Sequence, residues 1–369
     1  MSLSGASGSP VGILDVARRA GVSASTVSRS LRGSARVSAA TRDRVLRAAA
    51  ELAYVPSPAA SRLASGRTSA IGVIVPFATR WFFTEVITGI EQPLRAAGYD
   101  LLLYNIGDPA ARSHFFDAMP LRRRVDAVLT VASSFAEAEQ AALGALGVPL
   151  AVVGGHIDGF PRVGIDDRAG AATAVRHLLL LGHRDVAMIS GDPGDAYGRA
   201  TTSARRAGFE AALAEARVEP GPDRVVSEPW GVAGGGRAME QLLGRRRLPT
   251  AVFAESDEMA LGALQTLRRA GLDVPGRMSI VGFDDHEMAA AGDLTTIAQP
   301  VRRQGELAAR LLLELLAGGG PQGGGDVVLP TRLVVRGTTG PPPAGARSVD
   351  RAADPVADPV EETAGSAFA

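Results

Sequence analysis

The chain has 369 residues, too many for one ordinary core, and 46% of them are apolar, a composition that suits two or three packed domains. It contains no cysteine, which excludes disulfides, thiol nucleophiles and cysteine-held metal, and no apolar run reaches the roughly eighteen residues that a membrane span needs. The net charge is zero, yet residues 1–68 carry ten arginines against Asp15, Asp43 and Glu51, a local balance of +7 that suits a polyanionic partner.

In chain order, residues 1–11 are small and polar and read as a disordered leader. They lack the charged and apolar regions of a secretory signal, so a cytoplasmic, nucleoid-associated protein is expected. Residues 12–54 read as three short helices. The first runs from about Leu14 to Ala20, with Val16 and Ala17 inward and Gly21 ending it in the left-handed conformation. Ser23 then caps a second helix over Ala24–Leu31, whose Val27 and Leu31 point inward at i, i+4 spacing. Ser38 caps a third, with Val45, Leu46, Ala49 and Leu52 as its core stripe. Two short helices joined by a tight glycine turn form a helix-turn-helix, which lays its second helix in the major groove of DNA. On that reading Arg29 donates two hydrogen bonds to a guanine, while the small Ala24 and Ser25 allow close approach. Thr26, Ser28, Arg32, Ser38 and Thr41 are placed for phosphates, which position the protein without reading sequence. A plain helical bundle with a basic surface is the competing explanation.

Residues 55–68 form a small-residue, proline-punctuated linker. From Ile71 the runs IGVIV, LLLYN, DAVLTV, PLAVVG, DVAMIS, TAVFA and SIVGF alternate with helical stretches, the pattern of parallel α/β architecture. Residues 318–325 read as a flexible loop and residues 338–369 as a disordered tail. The five histidines show no metal-binding spacing, and neither a nucleophile elbow nor a phosphate loop is present. No catalytic residue, metal or cofactor is therefore expected.

The segments DVARRAGVSASTVSRSL and RVSAATRDRVLRAAAELAYVPSPAASRLASGRT resemble the start of the LacI/GalR family of bacterial regulators. The resemblance extends over residues 71–337. It implies an all-α helix-turn-helix head followed by an α/β, two-lobed, periplasmic-binding-protein-like (Rossmann-like) effector domain. It also implies a homodimer or tetramer on palindromic double-stranded operator DNA, repression, and control by a small effector, expected to be a sugar. A co-repressed regulator with a non-sugar effector and a sugar-binding protein without DNA function are the alternatives. The linker would become a hinge helix, with Leu63 wedged into the minor groove, Ala60 allowing paired hinges to approach, and Tyr54 as a further DNA contact. An isolated helix of that length is marginal in water, so its ordering on DNA is physically reasonable. Gly12 departs from the family, where a capping Thr or Ser is usual.

The resemblance divides residues 69–337 into lobe one, about 69–164 plus 296–328, and lobe two, about 165–295 plus 329–337. Ligands in open α/β sheets sit beyond the C-terminal ends of strands. That rule selects Phe77, Arg80, Trp81 and Phe82 after the first strand; Arg80 would meet either an anionic ligand or solvent. Arg205 matches an arginine that holds effector oxygens, and Asp284 and Gln299 match further pocket positions. Ser256 replaces the family's asparagine and Asp257 is a candidate helix cap. Asp166 and Asp167 read as caps near the cleft, and Asp285 as structural.

Overall fold

The computed structural model describes residues 11–31, 36–54, 67–192, 194, 198–219, 221, 223–319 and 325–344. The expected leader apart from Val11, together with Arg32, Ala60, Leu63 and the tail beyond 344, lies outside these residues. The chain forms two compact units, residues 1–69 and 70–369.

In the first unit, α1 (Ile13–Ala20), α2 (Ala24–Leu31) and α3 (Ala39–Glu51) enclose a core of Val16, Ala17, Ala20, Val27, Val45, Ala48 and Ala49. Gly21 sits at φ +66° and its N–H closes α1 on the carbonyls of Ala17 and Arg18. A Cβ there would meet nothing, so glycine is required by conformation rather than space. The expected core stripe of α3 needs one correction. Leu46 is 46% exposed and Ala48 is buried in its place. The inward set is 45, 48, 49 and 52, the i, i+3, i+4, i+7 face of a helix.

The second unit contains two six-stranded sheets. Its elements are β1 (Ala70–Val75), α4 (Trp81–Ala96), β2 (Asp100–Asn105), α5 (Pro109–Ala118), β3 (Ala127–Val131), α6 (Glu137–Gly144), β4 (Leu150–Val153) and β5 (Arg162–Ile165). These are followed by α7 (Asp167–Leu180), β6 (Val186–Gly191), α8 (Arg199–Glu215), β7 (Val225–Glu228), α9 (Val232–Leu243), β8 (Ala251–Ala254), α10 (Asp257–Arg269), β9 (Ser279–Asp284), α11 (Glu287–Ala291) and β10 (Thr295–Ala298). The chain ends its described course with α12 (Val301–Leu316), β11 (Val327–Leu329) and β12 (Arg332–Val334).

The first sheet has the order β11-β5-β4-β3-β1-β2 and the second β12-β10-β9-β8-β6-β7. All pairings are parallel except β10 with β12. The central strands β1, β3, β6, β8 and β9 are buried along their whole length. Helices cover both faces, so these strands are continuous apolar runs rather than alternating ones.

The chain crosses between lobes three times, after β5, β10 and β11. The expected lobe limits therefore move. Thr296–Ala298 pair with β9 in the second sheet, whereas Ile165 and Leu329 pair with each other in the first. The expected tail also begins too early. Thr338 is buried, its hydroxyl donates to the Ile280 carbonyl at 2.8 Å and accepts from the Thr295 N–H at 2.9 Å. The Gly340 carbonyl lies 2.9 Å from Nε2 of buried His183. Polar tail residues here close the N-terminal ends of β9 and β10, a role that their composition does not reveal.

Candidate functional sites: a basic helical face and an interlobe cleft

The head places Ala24, Ser25, Thr26, Ser38 and Thr41 at the N-terminal ends of two helices, Arg29 in the last turn of α2 and Tyr54 just beyond α3. Ser23 caps α2 by accepting the Thr26 N–H at 3.2 Å, and its hydroxyl lies 2.9 Å from those of Ser25 and Thr26. Ser30 turns inward and donates to the Thr26 carbonyl at 2.9 Å. Ser25 and Arg29 are exposed, and Ala24, Thr26 and Ser28 are half-buried. Ser38 accepts the Thr41 N–H at 3.4 Å and donates to its hydroxyl at 2.9 Å, which holds both at the start of α3. Tyr54 packs against the core. Gly12 supplies no side-chain cap; its own N–H donates to Asp15 at 2.9 Å. Arg18 pairs with Asp15, and Arg19 with Glu51.

In the second unit, Phe77, Arg80, Trp81, Phe82, Arg205, Ser256, Asp284 and Gln299 all line one cleft, with about 810 Å³ of empty space that is partly open to solvent. Phe77, Arg80, Trp81 and Phe82 come from the end of β1 and the start of α4 in lobe one, and the others from strand ends and α8. The Arg80 guanidinium lies 3.8 Å from the centre of the Phe77 ring. Trp81 contacts the His286 ring of lobe two at 4.8 Å.

Arg205 is the electrostatic centre of the cleft floor. Close approach of α8 to α7 sets its position: a Cβ on Gly208 would stand 2.2 Å from the Arg168 carbonyl. Arg205 is 4% exposed. Its Nε donates to Asp167 at 2.8 Å, one terminal nitrogen donates to the Glu255 carbonyl, and Asp284 lies 3.7 Å away. The guanidinium also stacks on Phe283 at 3.6 Å. Burial works against its charge, but Asp167 and Asp284 outweigh that and raise its pKa. Such a pair holds only where geometry and further hydrogen bonds offset desolvation.

Asp284 accepts from Gln299 Nε2 at 2.6 Å, and Gln299 Oε1 accepts from Gln304 Nε2 at 2.8 Å. Burial pushes the Asp284 carboxyl up to about 7, against the pull of Arg205. Asp284 and Asp285 both have positive φ, +121° and +57°, a costly backbone state that persists only where neighbours enforce it. Here Asp257 does so: it accepts the His286 N–H at 2.8 Å and the Thr296 hydroxyl at 2.6 Å. Arg336 adds a 2.7 Å bond to Asp285, which makes Asp285 structural, as expected. Asp257 is thus not the cap of α10. Ser256 is, accepting the Met259 N–H at 3.2 Å. Asp166 caps α7 through the Ala169 N–H, while Asp167 turns to Arg205.

Sequence reasoning missed Trp230, Glu258 and Gln304, which also line the cleft, and Glu255 beneath it. Trp230 follows β7, so the strand-end rule could have found it. Glu255 is fully buried. It accepts Ser190 Oγ at 2.8 Å, the Gly191 N–H at 2.9 Å and Thr202 Oγ1 at 3.1 Å. Burial nevertheless raises its carboxyl to about 7. No sequence signal marks Glu255 or Gln304, since the polar stretches ESDE and RRQGE around them read as exposed. Among the described residues no His, Asp and Glu group could hold a metal ion, and no helix is long and apolar enough to cross a membrane.

A helix-turn-helix head on a two-lobed domain with a polar, aromatic-rimmed cleft defines a class: ligand-responsive DNA-binding regulators of transcription. Residues 12–57 match the family model of bacterial regulatory proteins, lacI family, and residues 175–339 that of the periplasmic binding protein-like domain. The chain is 34% identical over 307 residues to the HTH-type transcriptional repressor PurR of Vibrio campbellii, covering 82% of this chain and 91% of that one. It is 33% identical over 341 residues to the HTH-type transcriptional regulator DegA of Bacillus subtilis, covering 89% and 98%. Among solved structures it superposes on the Lac repressor dimer bound to operator and the anti-inducer ONPF with a TM-score of 0.79, at 29% identity over 90% of this chain and 99% of that one. It superposes on the CelR–cellobiose complex with a TM-score of 0.67, at 30% identity over 89% and 99%. The chain belongs to the LacI family and is a DNA-binding transcriptional regulator; its relatives are regulators rather than enzymes.

Proposed function

We propose that this protein is a cytoplasmic homodimeric repressor that binds a palindromic operator and is controlled by a sugar in the interlobe cleft. The observation that carries the effector reading is the convergence of all eight predicted residues on one cleft that both lobes line. Aromatic rings at its rim suit the apolar faces of a sugar, and Arg205, Asp284 and Gln299 suit its hydroxyls. The similar CelR complex holds cellobiose, which supports the same class.

On DNA, Arg29 reads a guanine, with Ala24 and Ser25 against neighbouring base edges. Thr26, Ser28, Arg32, Ser38 and Thr41 hold the backbone, Tyr54 adds a further DNA contact, and Leu63, with Ala60 letting the paired hinges approach, wedges the minor groove. Effector binding changes lobe closure and, through it, the docking of the two heads. A genomic footprint followed by gel shifts at several salt concentrations tests the DNA reading; no preference for any fragment over bulk competitor would refute it. Calorimetric titration with neutral saccharides tests the effector reading, and operator titrations with and without the bound saccharide give the sign of control.

A further inference from the structure

Gln304 is a polar residue where the fold asks for an apolar one. It lies on the buried stripe of α12 with Val301, Gly305, Ala308, Ala309 and Leu312, and it is 1% exposed. Its Nε2 donates to Gln299, but its Oε1 has no hydrogen-bond partner among the described residues. A buried acceptor left unsatisfied is a net cost to the fold.

With Asp284 ionised, the direction of the row Asp284–Gln299–Gln304 is fixed at its far end. The Asp284 carboxylate accepts, so Gln299 must offer it Nε2 and keep Oε1 for its other neighbour. Gln304 must then answer with Nε2, and its own Oε1 becomes the free end. That end belongs to a residue lining the cleft. Trp230 lines the same cleft, and its indole N–H is likewise buried with no acceptor among the described residues. The strongest cation there is already engaged, since Arg205 is held by Asp167, the Glu255 carbonyl and Asp284.

We propose that Gln304 is a ligand-binding residue that sets specificity: its Oε1 accepts a hydrogen bond from a hydroxyl of the effector. The effector then presents a hydroxyl rather than an anionic group at this end: a hydroxyl can donate to Gln304 and another can accept from Trp230, whereas a carboxylate or phosphate there can donate nothing. This rests on the reading of the cleft as a sugar site.

The test is calorimetric titration of full-length wild-type, Gln304→Leu and Gln304→Met protein. The probes are neutral mono- and disaccharides with their singly deoxygenated analogues. The expected result is that a saccharide bound by wild type loses about ten-fold or more in affinity for both variants, the cost of an unanswered buried polar group. One deoxy analogue, lacking the hydroxyl that meets Gln304, binds all three proteins alike. Both variants unfold near the wild-type temperature, because the orphan acceptor of Gln304 is removed while Gln299 Oε1 loses its donor. Unchanged affinity for a saccharide that wild type binds overturns the role of Gln304 and leaves the sugar reading standing. An equal loss for every deoxy analogue shows a structural role and also overturns it. A wild-type protein that binds no saccharide removes both readings.

Discussion

Arg29 and Arg205 are both arginines on helices, but their surroundings give them opposite consequences on removal. Arg29 is exposed on α2, so Arg29→Ala should leave the melting temperature unchanged. It should weaken operator binding by about 1–3 kcal/mol and erase the preference at one base pair. Fluorescence anisotropy against single-base operator variants checks this; a retained preference at every position rules the contact out. Arg205 is buried among Asp167, Asp284 and Glu255. Arg205→Leu leaves those carboxyls uncompensated and should destabilise the effector domain by about 3–5 kcal/mol, visible as an early thermal transition. Glu255 provides a test in pH. Its carboxyl stands at about 7 in the folded protein against an ordinary 4.5, so the folded chain holds this proton more tightly than the unfolded one. The stability it contributes is full below about pH 4.5 and is lost as pH rises to about 7. Asp284, raised from 3.8 to about 7, acts in the same direction. Buried His183, its pKa lowered by desolvation, acts in the opposite one, because it must gain charge in acid. Glu255→Gln isolates the first effect. Relative to wild type the variant should gain stability between pH 4.5 and 7, by an amount on the order of 3 kcal/mol. Parallel melting curves across that range would refute the assignment.

At the scale of elements, the turn between α1 and α2 offers the simplest perturbation. Gly21→Ala forces a Cβ into the left-handed region at φ +66° and should cost the head about 1–2 kcal/mol. The two compact units predict that hydrogen exchange speeds up in α1–α3 and stays unchanged in β1–β12. This turn, like the caps Ser23 and Ser38, was legible in the sequence because each depends on a local conformation that few residue types adopt. The central strands were legible as uninterrupted apolar runs. What escaped reading depends on partners distant in the chain. TTIA reads the same in either sheet, and only its pairing with β9 assigns Thr295–Ala298 to lobe two. The third-helix stripe went wrong by favouring the bulkier Leu46 over Ala48, although the helical period prefers the alanine. In the cleft, residues at strand ends were found, whereas Glu255 and Gln304 were not. Their burial is offset by hydrogen bonds that Glu255 accepts from Ser190 and Thr202 and that Gln304 donates to Gln299, residues many positions away or on another element.

At the scale of the whole effector domain, the cleft is wired to the crossings between lobes. Asp167 follows the first crossing strand, β5, and Gln299 follows the second, β10, so on the proposed reading a ligand held by Arg205 and Asp284 would act on groups attached to the crossings. Lobe one also reaches lobe two directly, through Trp81 against His286 at 4.8 Å. An aromatic contact of this kind contributes about 0.5–1.5 kcal/mol, enough to shift an open–closed equilibrium roughly two- to ten-fold. His286→Ala removes that contact without touching Arg205, Asp284 or Gln299, and should move the effector-free protein toward the open form, read as a larger radius of gyration in solution scattering. If closure is what links effector to operator, the variant must also change operator affinity in the absence of effector. Coupling is reciprocal: in wild type and variant alike, the factor by which effector alters operator affinity must equal the factor by which operator alters effector affinity. A variant with larger dimensions in solution but unaltered operator affinity would separate lobe closure from DNA binding and show that the signal leaves the cleft by another route.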